Sequence, residues 1–192
     1  EEIHMLRETD KFREPLSPLK MLGYYLRERN PPFYLACMME YYTFIRPDEL
    51  RYIKIGDIRV NEQTVYVSSS VSKNRKGQTV ALNDVLIKEM IRQNVFDHPS
   101  GDYLFSDGLK PGNTLIYFNK LRLEWKKVRS ALRFPETYQF YSLKDAGIRD
   151  LANAEGIVIA RDQARHSDVS VTNRYLKSSR VDDKAKHFKG AL

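Results

Sequence analysis

The chain has 192 residues, enough to bury one sizeable core with room for a small appended lobe, and its 42% hydrophobic and 30% charged content are those of a globular protein. Lys plus Arg total 32 against 25 Asp plus Glu, a net +7 that suits a polyanionic partner without requiring one. A lone cysteine, Cys37, excludes a disulfide or cysteine-based metal framework and suits a reducing cytosol, and no apolar run is long enough to span a bilayer.

Residues 1–15 are charged and end in proline, which reads as a linker or trimmed junction; the first residue is not Met, so a fragment of something longer is expected. Ser17 is placed to cap a helix with Pro18 at its first position, with Leu19, Leu22 and Leu26 on one face and Asn30-Pro31-Pro32 at its end. FYLACMMEYYTFI is apolar nearly all round and predicts a buried central helix running into Arg46, after which Pro47-Asp48-Glu49 starts a short helix. TVYVSSSV and GQTVAL alternate apolar and polar residues around a basic turn, Lys73-Asn74-Arg75-Lys76-Gly77, and predict two strands. Asn83-Asp84 caps a helix carrying Val85, Leu86, Met90 and Ile91. After a Pro/Gly-rich loop, a helix over 114–131 is expected to place Phe118, Leu121, Trp125 and Val128 on one stripe. The last third is helical, with Leu143, Ile148 and Leu151 inward on one helix and Gly156 breaking between two helices. The fold class predicted is mainly α with a small antiparallel β-sheet.

One stretch near the end concentrates chemistry. ARHSDVSVTNRYL places His166 nine residues before Tyr175, flanked by Arg165, Arg174 and Lys177, with a helix from Ser170 onward. Taken alone, a core tyrosine with a solvated basic edge explains it as well. Three further segments do not fit that simple reading: EYYTFIRPDEL (40–50), VSKNRKGQTVAL (71–82) and FYSLKDAGIRDLANAEG (140–156). In this order and spacing the four resemble the catalytic domain of the tyrosine recombinases, the phage integrase family. The resemblance covers roughly residues 16–178, leaving 179–192 as a tail for docking onto a neighbouring protomer.

The resemblance implies site-specific DNA recombination. Tyr175 attacks a scissile phosphodiester to give a 3′-phosphotyrosyl link, Arg46, Lys144 and His166 hold the phosphate, Tyr141 assists, and Lys73 protonates the leaving 5′ hydroxyl. Arg75, Lys76, Arg165 and Arg174 are expected to bind DNA beside them. Lys76 is the rival of Lys73 for the acid role, and an ion pair with Glu49 or Asp48 is the structural alternative for Arg46. No cofactor or metal is expected. The implied partners are double-stranded DNA and three further copies in a synaptic tetramer, the isolated fragment being monomeric; the implied setting is the bacterial cytoplasm, at the nucleoid.

Two departures stand out. Where the family usually has His-x-x-Arg, this chain has Tyr141-Ser-Leu-Lys144, which keeps a charge but not the planar grip of arginine. Arg165 stands where glycine normally precedes the motif histidine. A relaxing enzyme like the type IB topoisomerases, or a DNA-binding regulator that has lost cleavage, are the alternative functions.

Overall fold

Capping residues decide where the first helices begin and end. In the computed structural model, which describes residues 17–70, 72 and 77–173, the Ser17 hydroxyl accepts from the Lys20 N–H at 3.4 Å and Pro18 opens helix α1, Pro18–Arg29. Asn30 closes α1 by donating its N–H to the Leu26 carbonyl at 2.8 Å. Its side chain then accepts from the Phe33 N–H at 3.2 Å, so Pro31 starts α2, Pro31–Thr43, two residues before the apolar run. α2 is buried nearly all round and ends at Phe44, which takes a left-handed φ of 57°. Pro47 then starts the four-residue α3, Pro47–Leu50.

A three-stranded antiparallel sheet follows, in the order β1 (Ile58–Arg59), β2 (Thr64–Val67) and β3 (Gln78–Ala81). Val65 pairs with Val80, and both are buried on the inner face. β1 is too short to have been seen in the sequence pattern. The strand expected over TVYVSSSV stops at Val67, because Ser68 turns its hydroxyl onto the Ser70 N–H at 3.3 Å, giving the backbone a partner other than the ladder.

One helical expectation is met and another needs correction. On α4, Asp84–Arg92, the buried face is Leu86, Ile87 and Met90, whereas Val85 and Ile91 are 52% and 56% exposed. Glu89 occupies the inward edge instead, where Arg92 at 2.6 Å and Gln93 at 2.6 Å satisfy its carboxylate. The helix expected from residue 114 begins only at Lys120, as α5, Lys120–Ala131. Thr114 is held in the preceding loop by Ser106, whose hydroxyl donates to its carbonyl at 2.7 Å and accepts from its N–H at 3.0 Å. Phe118 therefore lies outside the helix, half-exposed and edge-on to Tyr117, while Leu121, Trp125 and Val128 form the buried stripe.

The last helices carry the site. α6, Ser142–Glu155, ends at Gly156, whose φ of 99° favours glycine, and α7, Ile157–Gln163, and α8, Val169–Asn173, follow. Leu143 and Ile148 are buried as expected and Leu151 is half-buried. α6 crosses α2 closely at Gly147: a Cβ there would run into the Tyr41 carbonyl and lie 2.7 Å from the Phe44 ring. The Tyr41 hydroxyl locks the crossing by donating to Asp150 at 2.6 Å. Phe44, Ile148, Ala152, Ala160 and Ala164 form a small second core joining α2, α6 and α7. Gln163 ties α7 to the sheet and to α2: its side chain pairs with Ala81 N–H at 3.2 Å and carbonyl at 2.8 Å, and donates to the Tyr42 carbonyl at 3.0 Å.

Gly147→Ala should therefore lower the unfolding free energy by at least about 1–3 kcal/mol, the cost of overpacking a close-packed crossing. Urea denaturation of the two proteins measures it, and equal midpoints would mean that the crossing is looser than described.

Candidate active site

Glu49 is the anchor around which the basic residues gather. Its carboxylate, 1% exposed, accepts from the Arg46 backbone N–H at 3.1 Å and from Arg46 Nη1 at 3.3 Å. It also accepts from Arg165 Nη2, from a turn 116 residues further along the chain. The first contact is local: Arg46 immediately precedes the first turn of α3, and a glutamate three residues on returns to its free N–H. The ion pair offered by the sequence as an alternative for Arg46 thus exists, with Glu49 and not Asp48. It does not use Arg46 up, because the arginine side chain keeps 23% of its surface exposed.

Arg165 shows why glycine is the easier residue before the histidine. Its φ is 58°, in the left-handed region. The side chain is nevertheless buried against Glu49, and its Nε and Nη1 are enclosed without a hydrogen-bond partner among the described residues. The next residue, His166, is half-buried, and its Nδ1 lies 3.0 Å from the buried Thr172 hydroxyl on α8, which fixes the ring.

Lys144 completes the cluster from α6. It is fully buried, and its ammonium has no hydrogen-bond partner among the described residues. The Nζ lies 5.5 Å from the centroid of the Tyr141 ring, and Tyr141 itself is 39% exposed at the start of the helix. Burial and then the Arg46 guanidinium lower the Lys144 pKa to about 8; Glu40 and Glu49 oppose that shift, while Arg165 adds to it.

Arg46, Tyr141, Lys144, Arg165 and His166 are thus brought to one region by α3, α6 and the turn before α8. Lys73, Arg75, Lys76, Arg174 and Tyr175 lie outside the described residues. Two acidic residues were not chosen as site residues from the sequence. Glu49 was visible only as a possible ion-pair partner. Glu40, fully buried on α2, could have been noticed as the one charged residue in the apolar run 33–45. No cluster of metal-ligating side chains occurs among the described residues, and none of the helices described is long and apolar enough to cross a membrane.

A mainly helical domain with a small antiparallel sheet and a cationic cluster set around a buried glutamate defines the class. The phage integrase family model matches residues 25–181, and the chain belongs to that family. Among solved structures it is similar to XerA recombinase, with 18% identity and a TM-score of 0.69 over 91% of this chain and 62% of that one. It is also similar to the Tn1549 transposon integrase in complex with circular intermediate DNA, with 19% identity and a TM-score of 0.62 over 93% of this chain and 67% of that one. A lambda integrase dimer bound to a COC′ core site matches with 12% identity and a TM-score of 0.62 over 84% and 58%. The chain therefore spans less than two thirds of the XerA chain. No curated protein matches it.

The geometry of Arg165 sets a test that separates backbone from side chain. Arg165→Ala and Arg165→Gly both lose the ion pair to Glu49. Only the alanine keeps a Cβ in the left-handed conformation, so the glycine variant should be the more stable of the two by about 1 kcal/mol. Thermal or urea unfolding of the pair measures the difference, and an alanine variant as stable as the glycine variant would contradict the left-handed turn.

Proposed function

We propose that this chain is the catalytic domain of a tyrosine-type site-specific DNA recombinase, occupying residues 16–178, with 1–15 as a linker or trimmed junction. The observation that carries the reading is the convergence of Arg46, Lys144 and Arg165, from distant parts of the sequence, on one region with His166. Positive charge gathered beyond what Glu49 neutralises is repulsive in the free protein, and a bound phosphate would offset it.

The chemistry follows from what a phosphodiester needs. As the Tyr175 oxygen bonds to phosphorus, negative charge grows on the non-bridging oxygens, and Arg46 and His166, both partly exposed, hold them. Lys144 adds its charge from the buried layer, and Tyr141 offers its hydroxyl at the exposed edge. The bond to the 5′ oxygen breaks as Lys73 donates a proton to it. The phosphotyrosyl link conserves the energy of the broken bond, so a 5′ hydroxyl from the same or a second duplex can reverse the step without a nucleotide cofactor or metal. Arg75, Lys76 and Arg174 add sequence-independent contacts to neighbouring phosphates, with Arg165 set nearest the reacting one. Strand exchange requires four copies around two duplexes, and residues 179–192 suit docking between them. The setting we assign is the cytoplasm, at the nucleoid.

A suicide DNA substrate carrying the cognate site, incubated with the full-length recombinase, tests this reading. Tyr175→Phe should abolish the covalent adduct and leave binding nearly intact, whereas an adduct that survives would identify another nucleophile. On the same substrate Lys144→Ala should slow single-turnover cleavage by about 10²–10³-fold, and Lys144→Arg should stay within about tenfold of the parent. Cleavage by Lys144→Ala at the parental rate would remove Lys144 from the site.

A further inference from the structure

Glu40 has no place in the chemistry above, yet its burial demands an explanation. It is fully buried on α2, and both carboxyl oxygens are enclosed without a hydrogen-bond partner among the described residues. Lys144 is equally buried on α6, with its ammonium equally without a hydrogen-bond partner there. The two helices meet at Gly147 and Tyr41. Glu40 immediately precedes Tyr41, and Lys144 lies one turn before Gly147 on the same side of α6. The close crossing that only glycine permits therefore brings a buried carboxyl and a buried ammonium into one layer, near enough to interact through their charges but without a hydrogen bond between them. Either group alone in that layer would cost several kcal/mol, and each offsets the other.

We propose that Glu40 is the buried counter-charge of Lys144, a positioning residue that keeps the ammonium charged and held within the cationic cluster. The groups facing Lys144 support the need for one. Arg46 and Arg165 press against its charge from α3 and from the turn before α8, and Tyr141 lies over it from the start of α6. Glu49 already serves two arginines, whereas neither Glu40 oxygen has a hydrogen-bond partner among the described residues; the half-buried Asp145, next to Lys144 in the chain, is a further carboxyl that acts on it. Around Glu40 itself, Asp145 and Glu49 disfavour its negative charge, and Lys144 and Arg46 favour it, while Glu40 in turn helps hold the buried Cys37 thiol protonated. Burial raises the Glu40 carboxyl well above its usual range, while Lys144 is the largest influence pulling it back. Arginine at position 144 would not need such help, since a guanidinium stays charged at any pH the fold survives. A lysine does, so Glu40 answers the departure of Lys144 from the family's pattern.

The inference rests on the reading of Lys144 as part of the phosphate site, but its first test needs no DNA. The whole chain with ¹³C-labelled lysine is titrated by NMR, the Lys144 signal being assigned by its loss in Lys144→Arg. In the parent Lys144 should titrate near pH 8. In Glu40→Gln, and in Glu40→Met as a core-compatible second variant, the midpoint should fall by about one pH unit or more, as expected for removal of an opposing charge nearby. A Lys144 midpoint unchanged in both variants overturns the proposal. Single-turnover cleavage supplies the second readout. Protonated Lys144 is the active form, so the rate should fall as pH rises through its midpoint, and Glu40→Gln should move that falling limb to lower pH. In a Lys144→Arg background Glu40→Gln should not move the limb at all; a limb that moves there as well overturns the proposal. Failure of the phosphate-site reading shows up separately, as parental cleavage by Lys144→Ala.

Discussion

A carboxylate shared by two arginines holds this site together. Glu49 receives Arg46 from the residue that begins its own short helix and Arg165 from a turn near the end of the described chain. Neither guanidinium could be placed in this layer without it, because burial charges each an uncompensated desolvation cost. The carboxylate neutralises part of each charge and fixes where both point. Positive charge is thereby arranged before any ligand arrives, which is the condition for stabilising a transition state without reorganisation. Loss of Glu49 would leave two arginines repelling each other beside a buried lysine.

The scaffold around that carboxylate is a crossing of two helices. α2 is apolar on nearly every side and passes through the core; α6 lies across it at Gly147, where a side chain has no room. Tyr41 and Asp150 pin the crossing on one side, and the cluster of Phe44 with alanines of α6 and α7 packs the other. Gln163 reaches from α7 to β3 and to the end of α2, so the turn bearing Arg165 and His166 is referenced to the sheet as well as the helices. Small residues at the contacts and side-chain hydrogen bonds between elements give the rigidity that a preorganised site requires.

How much of this the sequence revealed depended on the range of the interaction. Caps such as Ser17 and Asn83 act within four residues, and the helix starts read from them are where the structure has them. Arg46, Lys144, Arg165 and His166 could be nominated from local motifs, because a family's boxes are local strings. What joins them is not local. The bond from Arg165 to Glu49 spans 116 residues, and the helices bearing Glu40 and Lys144 come together only because a glycine lets them approach. The buried face of α4 has the same origin: Val85 and Ile91 are as apolar as their neighbours, and only packing determines that Leu86, Ile87 and Met90 turn inward. Phe118 fitted a helical stripe by spacing, yet Ser106 holds the preceding loop out of the helix. The departure at position 165 reads differently once its φ is known, since the left-handed turn is where glycine costs least and an arginine must be compensated by what its side chain binds.

The charges organised by Glu49 are proposed to serve the non-bridging oxygens of one phosphodiester. Replacing that phosphodiester by a neutral methylphosphonate in a suicide substrate tests it directly, because the linkage can still be attacked while the anionic charge is gone. Cleavage by the parent and by Arg46→Ala is compared on both linkages in single-turnover reactions. Arg46→Ala should lose a large factor on the phosphate, on the order of 10²–10³-fold, and recover most of it on the methylphosphonate. An equal loss on the two linkages would contradict the account and make Arg46 a structural arginine.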